Sequence, residues 1–316
     1  MTALIIANPQ ATAFAPEVRN SLVRTLRDLY PVEVVETSKR GDATDLAATA
    51  MRERSAGVII GLGGDGTHNE IVNGLLSDGV QAEMPVLGLV PAGATNVFAR
   101  SLGFPNDLRK SVPLLREYLQ SGQFRRISVG QVNQRYFTFS AGIGFDAAII
   151  EAVEEYRARG KRSTLLLTLT ITARHLFLRR WPGLRFQVSG RPPVEGLRWM
   201  IVANSDPWTF LNSRPLRPTP QASFDLGMDV YALTRMAPLG LLRAAVQMYR
   251  RPSGRPRADI HLEHDVGEFD VMAEEPVPVH VDGDLLGRRQ HLTFRSVPEA
   301  LCVAAPASVL RRRLQT

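Results

Sequence analysis

Along the first 125 residues, short apolar runs alternate with stretches whose apolar positions recur every three or four residues. Leu4–Asn8 is an apolar run that stops at Asn8-Pro9. Pro16–Leu29 places Val18, Leu22, Leu26 and Leu29 at helical spacing. Val32–Glu36 is a second β-branched run, and Asp42–Arg54 reads as a helix with Asp42 as its cap. Gly57–Leu62 is a third strand centred on Val58-Ile59-Ile60, followed by a helix over His68–Leu76, a strand over Pro85–Val90 and a short helix over Thr95–Leu102. Strands alternating with helices predict a parallel sheet covered on both faces. Ligands of such sheets bind beyond the carboxyl ends of the strands, so the loops after Ile6, Ile60 and Val90 are where chemistry is expected.

Beyond residue 125 the pattern changes. Val129–Val132, Tyr136–Ser140, Leu184–Ser189, Trp199–Asn204, Met228–Leu233, Asp259–Glu263, Phe269–Ala273, Val277–Val281 and Leu292–Arg295 are short strand candidates divided by Gly, Pro and Asn. That spacing suits antiparallel β structure. Helical stretches interrupt it at Ala147–Leu178, broken near Gly160, and at Pro238–Tyr249. Ala300–Ala305 reads as one more strand and Ala307–Leu314 as a helix. The expected architecture is α/β plus β: a parallel-sheet domain over residues 1–125, an antiparallel, β-sandwich-like domain over 126–298, and a terminal strand and helix over 299–316 returning to the first domain.

The composition narrows the class. The chain has 316 residues, 44% hydrophobic and 22% charged, which is ordinary for a soluble globular protein and excludes disorder, collagen and coiled coil. The charge-free stretch Ser163–Ala173 is far short of the ~20 residues of a membrane span. The start runs straight into the apolar Ala3–Ala7 without the features of a signal peptide. The single cysteine, Cys302, makes no internal disulfide, so a reducing cytoplasm is the expected setting. No Cys and His cluster has zinc-site spacing, and the six histidines read as surface or structural residues. The net charge is +7, with Arg greatly outnumbering Lys, and Arg157–Arg198 is a local basic field. Such a balance fits nucleic acid, an anionic membrane or a phosphate-bearing substrate. No helix-turn-helix or zinc finger supports the nucleic-acid reading. An apolar helix over Ser163–Leu178, ending in Arg179-Arg180-Trp181, fits either a core helix with a basic end or the edge of a lipid surface.

The sharpest feature is Gly61-Leu62-Gly63-Gly64-Asp65-Gly66-Thr67-His68-Asn69-Glu70. It follows a predicted strand and opens a predicted helix. Its glycines let backbone approach a ligand, and amides at the helix start can bind phosphate. Thr67 adds a hydroxyl, and Asp65 adds a carboxylate able to hold Mg²⁺ beside the phosphates. It is neither a Walker A loop nor a dinucleotide fingerprint. Late in the chain, Asp282-Gly283-Asp284 ends the predicted strand Val277–Val281. Two carboxylates flanking a glycine suit a general base and an orienting group, and Asp-Gly is equally a turn signal. Asp146 has two readings as well, as a helix cap or as a group orienting metal or basic side chains.

Gly63–Gly74, with Gly-Gly-Asp-Gly-Thr followed by Asn69-Glu70 and Asn73-Gly74, resembles the catalytic domain of diacylglycerol kinases, sphingosine kinases and bacterial lipid kinases. Further segments match that family in order: Asn8-Pro9, Thr37 with Gly41-Asp42-Ala43, Pro91–Arg100, Gly142–Ala147, Phe224–Val230 and Asp282-Gly283-Asp284. The chain departs from the family pattern at Gln10-Ala11-Thr12, at Ala94 and Val97, and at Asp284, where the family has Glu. A basic residue usual after the Asn-Pro loop has Arg19 as its nearest counterpart.

The resemblance implies an ATP- and Mg²⁺-dependent lipid kinase, most simply one converting diacylglycerol to phosphatidic acid. It implies nucleotide binding by Asn8, Thr37, Gly63, Gly64, Asp65, Gly66, Thr67, His68, Asn69, Gly93, Thr95 and Asn96 in the first domain. The second domain becomes the lipid-substrate domain. The implied catalytic residues are Asp284 as base, Asp65 and Asp282. A structural cation is implied at Asp225, with backbone oxygens of Ala222 and Gly227. The implied partners are a lipid substrate and an anionic membrane surface reached from the cytoplasm. Nucleic acid is not among them, and a homodimer is compatible. Two other readings stand beside this one: a kinase of a soluble substrate such as NAD, and a catalytically weak nucleotide- or lipid-binding regulator.

Overall fold

The computed structural model describes residues 2–159, 165–178, 181–249 and 257–307. The chain divides into two compact units, one formed by residues 1–129 and 298–316, the other by 130–297.

The first unit opens with β1 (Ala3–Ala7), whose five residues are all buried. Such an uninterrupted apolar run is what a strand covered on both faces requires. Helix α1 (Pro16–Leu26) follows, with Pro16 in its first turn and Leu22 and Leu26 on its buried stripe. Next come β2 (Val32–Glu36), α2 (Asp42–Glu53), β3 (Val58–Gly63), α3 (Asp65–Leu75) and β4 (Val86–Pro91). β1 pairs in parallel with both β2 and β3, and β3 pairs in parallel with β4. The strand order is therefore β4-β3-β1-β2, the parallel sheet expected from the alternating pattern. Helices α4 (Val97–Ser101) and α5 (Leu108–Ser121) complete the unit. Helix α5 is absent from the sequence reading, yet it carries a cap: the Asp107 carboxylate accepts from the Arg109 amide.

The second unit is antiparallel. Its strands are β5 (Phe124–Val132), which starts in the first unit, then β6 (Arg135–Phe137) and β7 (Ser140–Ile143). Helices α6 (Phe145–Ala158) and α7 (Leu165–Leu178) intervene before β8 (Leu184–Gln187), β9 (Val194–Leu197) and β10 (Trp199–Ala203). The short hairpin β11 (Thr209–Leu211) and β12 (Arg214–Leu216) leads to β13 (Met228–Leu233), α8 (Pro238–Tyr249) and β14 (Ile260–Val266). The chain ends in two long strands, β15 (Glu268–Val281) and β16 (Asp284–Ala304).

β15 divides its hydrogen bonds. Its first half pairs with β8 and its second half with β7, with a register shift between Met272 and Val277. Two wings of sheet therefore share one strand. Phe186 and Leu197 from one wing and Met200, Val202 and Val230 from the other bury into a common core with Phe269 and Phe294.

Two expectations change here. Phe269–Ala273 and Val277–Val281 are not separate strands, because the intervening Glu274-Glu275-Pro276 is a bulge within β15 and not a loop. Leu292–Arg295 and Ala300–Ala305 are likewise one strand, turned at Pro298 and Glu299, where Glu299 takes φ 51°. The part of β16 beyond Pro298 belongs to the first unit, where Val303 pairs in parallel with Leu87 of β4. The expected helix over Ala307–Leu314 falls outside the described residues from 308 onward. Among the described residues no helix is long and apolar enough to cross a membrane.

Candidate functional site

In the first unit the carboxyl ends of β1, β3 and β4 carry the three loops singled out by sequence. Gly63 and Gly64 lie at the end of β3, and Gly93 follows β4. A Cβ added to Gly93 would lie 2.6 Å from the Gly64 Cα and 2.8 Å from Asn96 Oδ1. A Cβ on Gly64 would lie 3.1 Å from the Gly93 Cα. The two loops thus touch backbone to backbone, an approach only glycine permits. The Ala92 amide donating to the Gly63 carbonyl at 2.7 Å ties them further. Helix α3 begins at this junction with no side chain capping its N-terminus. The partial positive charge and open amides of an uncapped helix start favour an anion.

Asp65 fastens the same two loops. Its Oδ2 accepts from the Val97 amide and its Oδ1 from the Phe98 amide, both at 3.0 Å. The sequence reading gave Asp65 to Mg²⁺, whereas the structure gives it the task of capping α4 from the neighbouring loop. The interaction runs to the Val97 backbone, so this clamp does not depend on the side chain at that position. Asn96, in the left-handed region at φ 53°, accepts from the Gly93 amide and donates to the Gly93 carbonyl, each at 2.8 Å. It is buried and shapes the loop. Thr95 is half-buried beside it.

Asn8 at the end of β1 donates to Thr67 Oγ1 at 3.1 Å and accepts from the Gln10 amide at 2.9 Å. Asn8 and Thr67 are thereby brought together. Thr37 donates through its amide to the Ala7 carbonyl at the end of β1. Gly66 is half-buried in the first turn of α3.

His68 and Asn69 depart from the nucleotide-facing role. Both are fully buried. His68 Nε2 lies 3.0 Å from the Gly61 carbonyl, and burial pushes its pKa down to about 4, so the ring is neutral and donates back to β3. Asn69 Oδ1 accepts from Asn73 one turn on. Glu70, to which sequence reasoning gave no task, accepts from the Gly41 amide at 3.0 Å and holds the start of α2.

In the second unit Asp282 and Gly283 form the turn between β15 and β16. Their φ angles are 49° and 86°, and Val281 pairs with Asp284 across the turn. Two successive left-handed residues closing a two-residue loop are the type I′ hairpin that Asp-Gly favours. Asp282 is buried, and its carboxylate accepts from the amides of Thr138, Phe139 and Ser140 and from the Thr138 hydroxyl, at 2.7–3.1 Å. Burial pushes its pKa up, and these four donors oppose that rise. Asp282 is an anchor for the chain before β7, which corrects its place among the catalytic carboxylates. Asp284 is half-buried at the start of β16.

Beneath the turn lies a pair that the sequence did not reveal. His280 Nε2 meets Asp146 Oδ2 at 3.0 Å, and the Gly283 amide donates toward His280 Nδ1 at 3.4 Å. A Cβ on Gly142 would sit 2.1 Å from Asp146 Oδ2 and 2.3 Å from His280 Nε2, so the glycine makes room for this pair. The Asp146 Oδ1 also accepts from the Ala147 amide, a local contact at the start of α6.

Ala222, Asp225 and Gly227 lie in the loop between β12 and β13. The Asp225 amide donates to Ser223 Oγ, and the Gly227 amide donates to Asp265 Oδ1 at 2.6 Å. Among the described residues no group of three or more His, Cys, Asp or Glu side chains converges as a metal site. Trp181, read from the sequence as the end of either a core helix or a lipid-surface edge, is buried and packs edge-on against Phe145 with centroids 5.5 Å apart. Arg179 and Arg180 lie outside the described residues.

Residues 2–132 match the family described as the diacylglycerol kinase catalytic domain. A diacylglycerol kinase of Staphylococcus aureus is 36% identical over 137 residues, covering 43% of this chain and 41% of the relative. The chain therefore spans under half the length of the curated relatives it matches. A crystal structure of a diacylglycerol kinase from Bacillus anthracis superposes with TM-score 0.72 at 19% identity, over 98% of both chains. An NAD kinase from Archaeoglobus fulgidus in complex with ATP is more distant, with TM-score 0.53 at 12% identity over 100% of this chain and 98% of the other. Among the described residues the fold is similar to that of the Bacillus anthracis diacylglycerol kinase structure.

Proposed function

Because residues 2–132 match the diacylglycerol kinase catalytic domain, we propose that this protein is an ATP- and Mg²⁺-dependent lipid kinase, with diacylglycerol as acceptor and phosphatidic acid as product. The observation that carries the proposal is the backbone contact of Gly64 with Gly93 at the uncapped start of α3. Open amides and a helix dipole at such a junction support the binding of a triphosphate there.

In this reading Gly63, Gly64, Gly66, Thr67, Gly93 and Thr95 border the phosphates, while Asp65, Asn96 and Asn8 hold their loops in place. ATP with Mg²⁺ supplies the activated phosphoryl group. The acceptor hydroxyl oxygen bonds to the γ-phosphorus as the bond to the β–γ bridging oxygen breaks, and ADP leaves. The hydroxyl proton goes to the Asp284 carboxylate. Such transfers depend on positioning and charge stabilisation more than on covalent help. A structural cation at Asp225, with the Ala222 and Gly227 carbonyls, belongs to the same proposal.

The test is transfer from labelled ATP to a panel of lipids and to NAD. Labelled phosphatidic acid from diacylglycerol in mixed micelles is the expected product. Labelled NADP with no labelled lipid overturns the proposal in favour of the soluble-substrate reading. Nucleotide binding without transfer to any acceptor overturns it in favour of a regulator.

A further inference from the structure

Helix α8 is apolar on two opposite faces. Ala244 and Met248 bury against the second unit at 1% and 4% exposure. Leu239, Leu242, Val246 and Tyr249 stand outward at 58%, 61%, 41% and 41%. At about 100° per residue, these four fall within roughly 80° of arc, on the side away from Ala244 and Met248. A helix resting on a core needs one apolar stripe, and its second is normally polar.

The surroundings are basic. From Arg235 to Tyr249 the chain carries Arg235 and Arg243 and no acidic residue, and Arg257 nearby is paired with Asp259. Arg235 and Arg243 are exposed at the helix. The Arg214 guanidinium lies 5.1 Å from the centroid of the Tyr249 ring. Leu211, 55% exposed, pairs with Arg214 across the β11–β12 hairpin. Apolar side chains standing beside exposed arginines are what an interfacial helix presents to anionic lipid. A second copy of the chain suits the patch less well. A two-fold contact sets the same patch against itself, and arginines would face arginines.

We propose that α8, with Leu211 of the neighbouring hairpin, is the surface by which this protein rests on an anionic bilayer, its apolar stripe entering the headgroup region and its arginines facing lipid phosphates. This names the membrane partner of the proposed lipid kinase and rests on that reading for its purpose. The binding itself is tested without it.

The experiment is flotation of the intact chain with vesicles of phosphatidylglycerol and phosphatidylcholine, and with vesicles of phosphatidylcholine alone. The chain should float with the anionic vesicles at low salt and be released by added salt. Leu242→Gln with Val246→Gln should cut the bound fraction about tenfold or more while melting like the parent, because exposed apolar area is lost and no core contact is touched. Arg235→Gln with Arg243→Gln should weaken binding and flatten its salt dependence. Unchanged flotation of both variants overturns the proposal. So does a concentration-dependent dimer that the Leu242/Val246 variant abolishes while flotation persists, since a second copy would then cover the stripe. Transfer of phosphate to a short-chain, water-dispersed diacylglycerol should be equal in parent and variants. Normal flotation with no lipid phosphorylated by any of them removes the kinase reading and leaves the assignment of α8 standing.

Discussion

At Gly93 a single methyl group decides whether two loops can meet. Alanine there would push against the Gly64 Cα and Asn96 Oδ1. Overpacking of this kind costs about 1–3 kcal/mol. Gly93→Ala should therefore weaken binding of a fluorescent ATP analogue by roughly 5–100-fold, with far-ultraviolet circular dichroism unchanged. Unaltered affinity would remove the loop contact from nucleotide binding. The two carboxylates of the hairpin should separate in their effects. Asp284→Asn should lower transfer by about 10²–10⁴-fold with little change in melting. Asp282→Asn should instead lower stability by about 3 kcal/mol in a denaturant titration, because an amide nitrogen would face donors that now find a carboxylate. Equal behaviour of the two variants would contradict the split. His68 makes stability depend on pH. Its pKa falls from 6.5 to about 4 on folding, so below pH 6.5 the unfolded chain takes up a proton that the folded chain refuses. Its contribution is intact above that pH and is lost as pH falls toward 4, amounting to about 3 kcal/mol. His68→Gln should flatten that part of the stability–pH curve. The glycines and Asn8–Thr67 were legible from the sequence because motif and strand end coincide. The roles of Asp282 and His68 were not, since each depends on partners, Thr138–Ser140 and the Gly61 carbonyl, that only the folded chain brings near.

Among the elements, the close packing of α2 and α3 rests on Gly74. A Cβ there would lie 2.3 Å from the Thr44 carbonyl oxygen and 2.8 Å from the Ala47 Cβ. On an isolated helix, glycine to alanine gains about 1 kcal/mol of helix propensity. Here Gly74→Ala should instead lower stability by about 1–3 kcal/mol, because α2 must move outward. A rise in melting temperature would show that α2 yields without cost. The same packing gives the Asn73-Gly74 match a physical reason that the motif alone does not state. Most strands and helices were legible from their periodicity, and α8 runs over the expected Pro238–Tyr249. Helix α5 was missed although Val112, Leu115 and Leu119 recur at helical spacing, because Pro113 interrupts the pattern and argues for a break. The long strands were split in the reading because Pro276 and Pro298 look like terminators. One instead sits in a bulge and the other at a bend, both places where a strand tolerates proline.

At the scale of the molecule, composition excluded many classes and chose none, whereas the alternating first third and the β-rich remainder announced two kinds of sheet. The first unit is discontinuous. The chain leaves it at Val129 and comes back at Pro298. Leu301, Val303, Ala304 and Ala305 are then buried in it, with Val303 alongside β4. On the ribosome this ordering becomes a delay. About 170 residues separate departure from return, and at about 5–20 residues per second their synthesis takes roughly 10–30 s. Throughout that interval the outer edge of β4 has no neighbour and offers an apolar template to other nascent chains. Stalled nascent chains arrested before Pro298 should be cut by protease within the first unit. Chains extended far enough to bring Ala305 out of the exit tunnel should resist. Equal resistance of the two would mean that the first unit completes itself without its last strand.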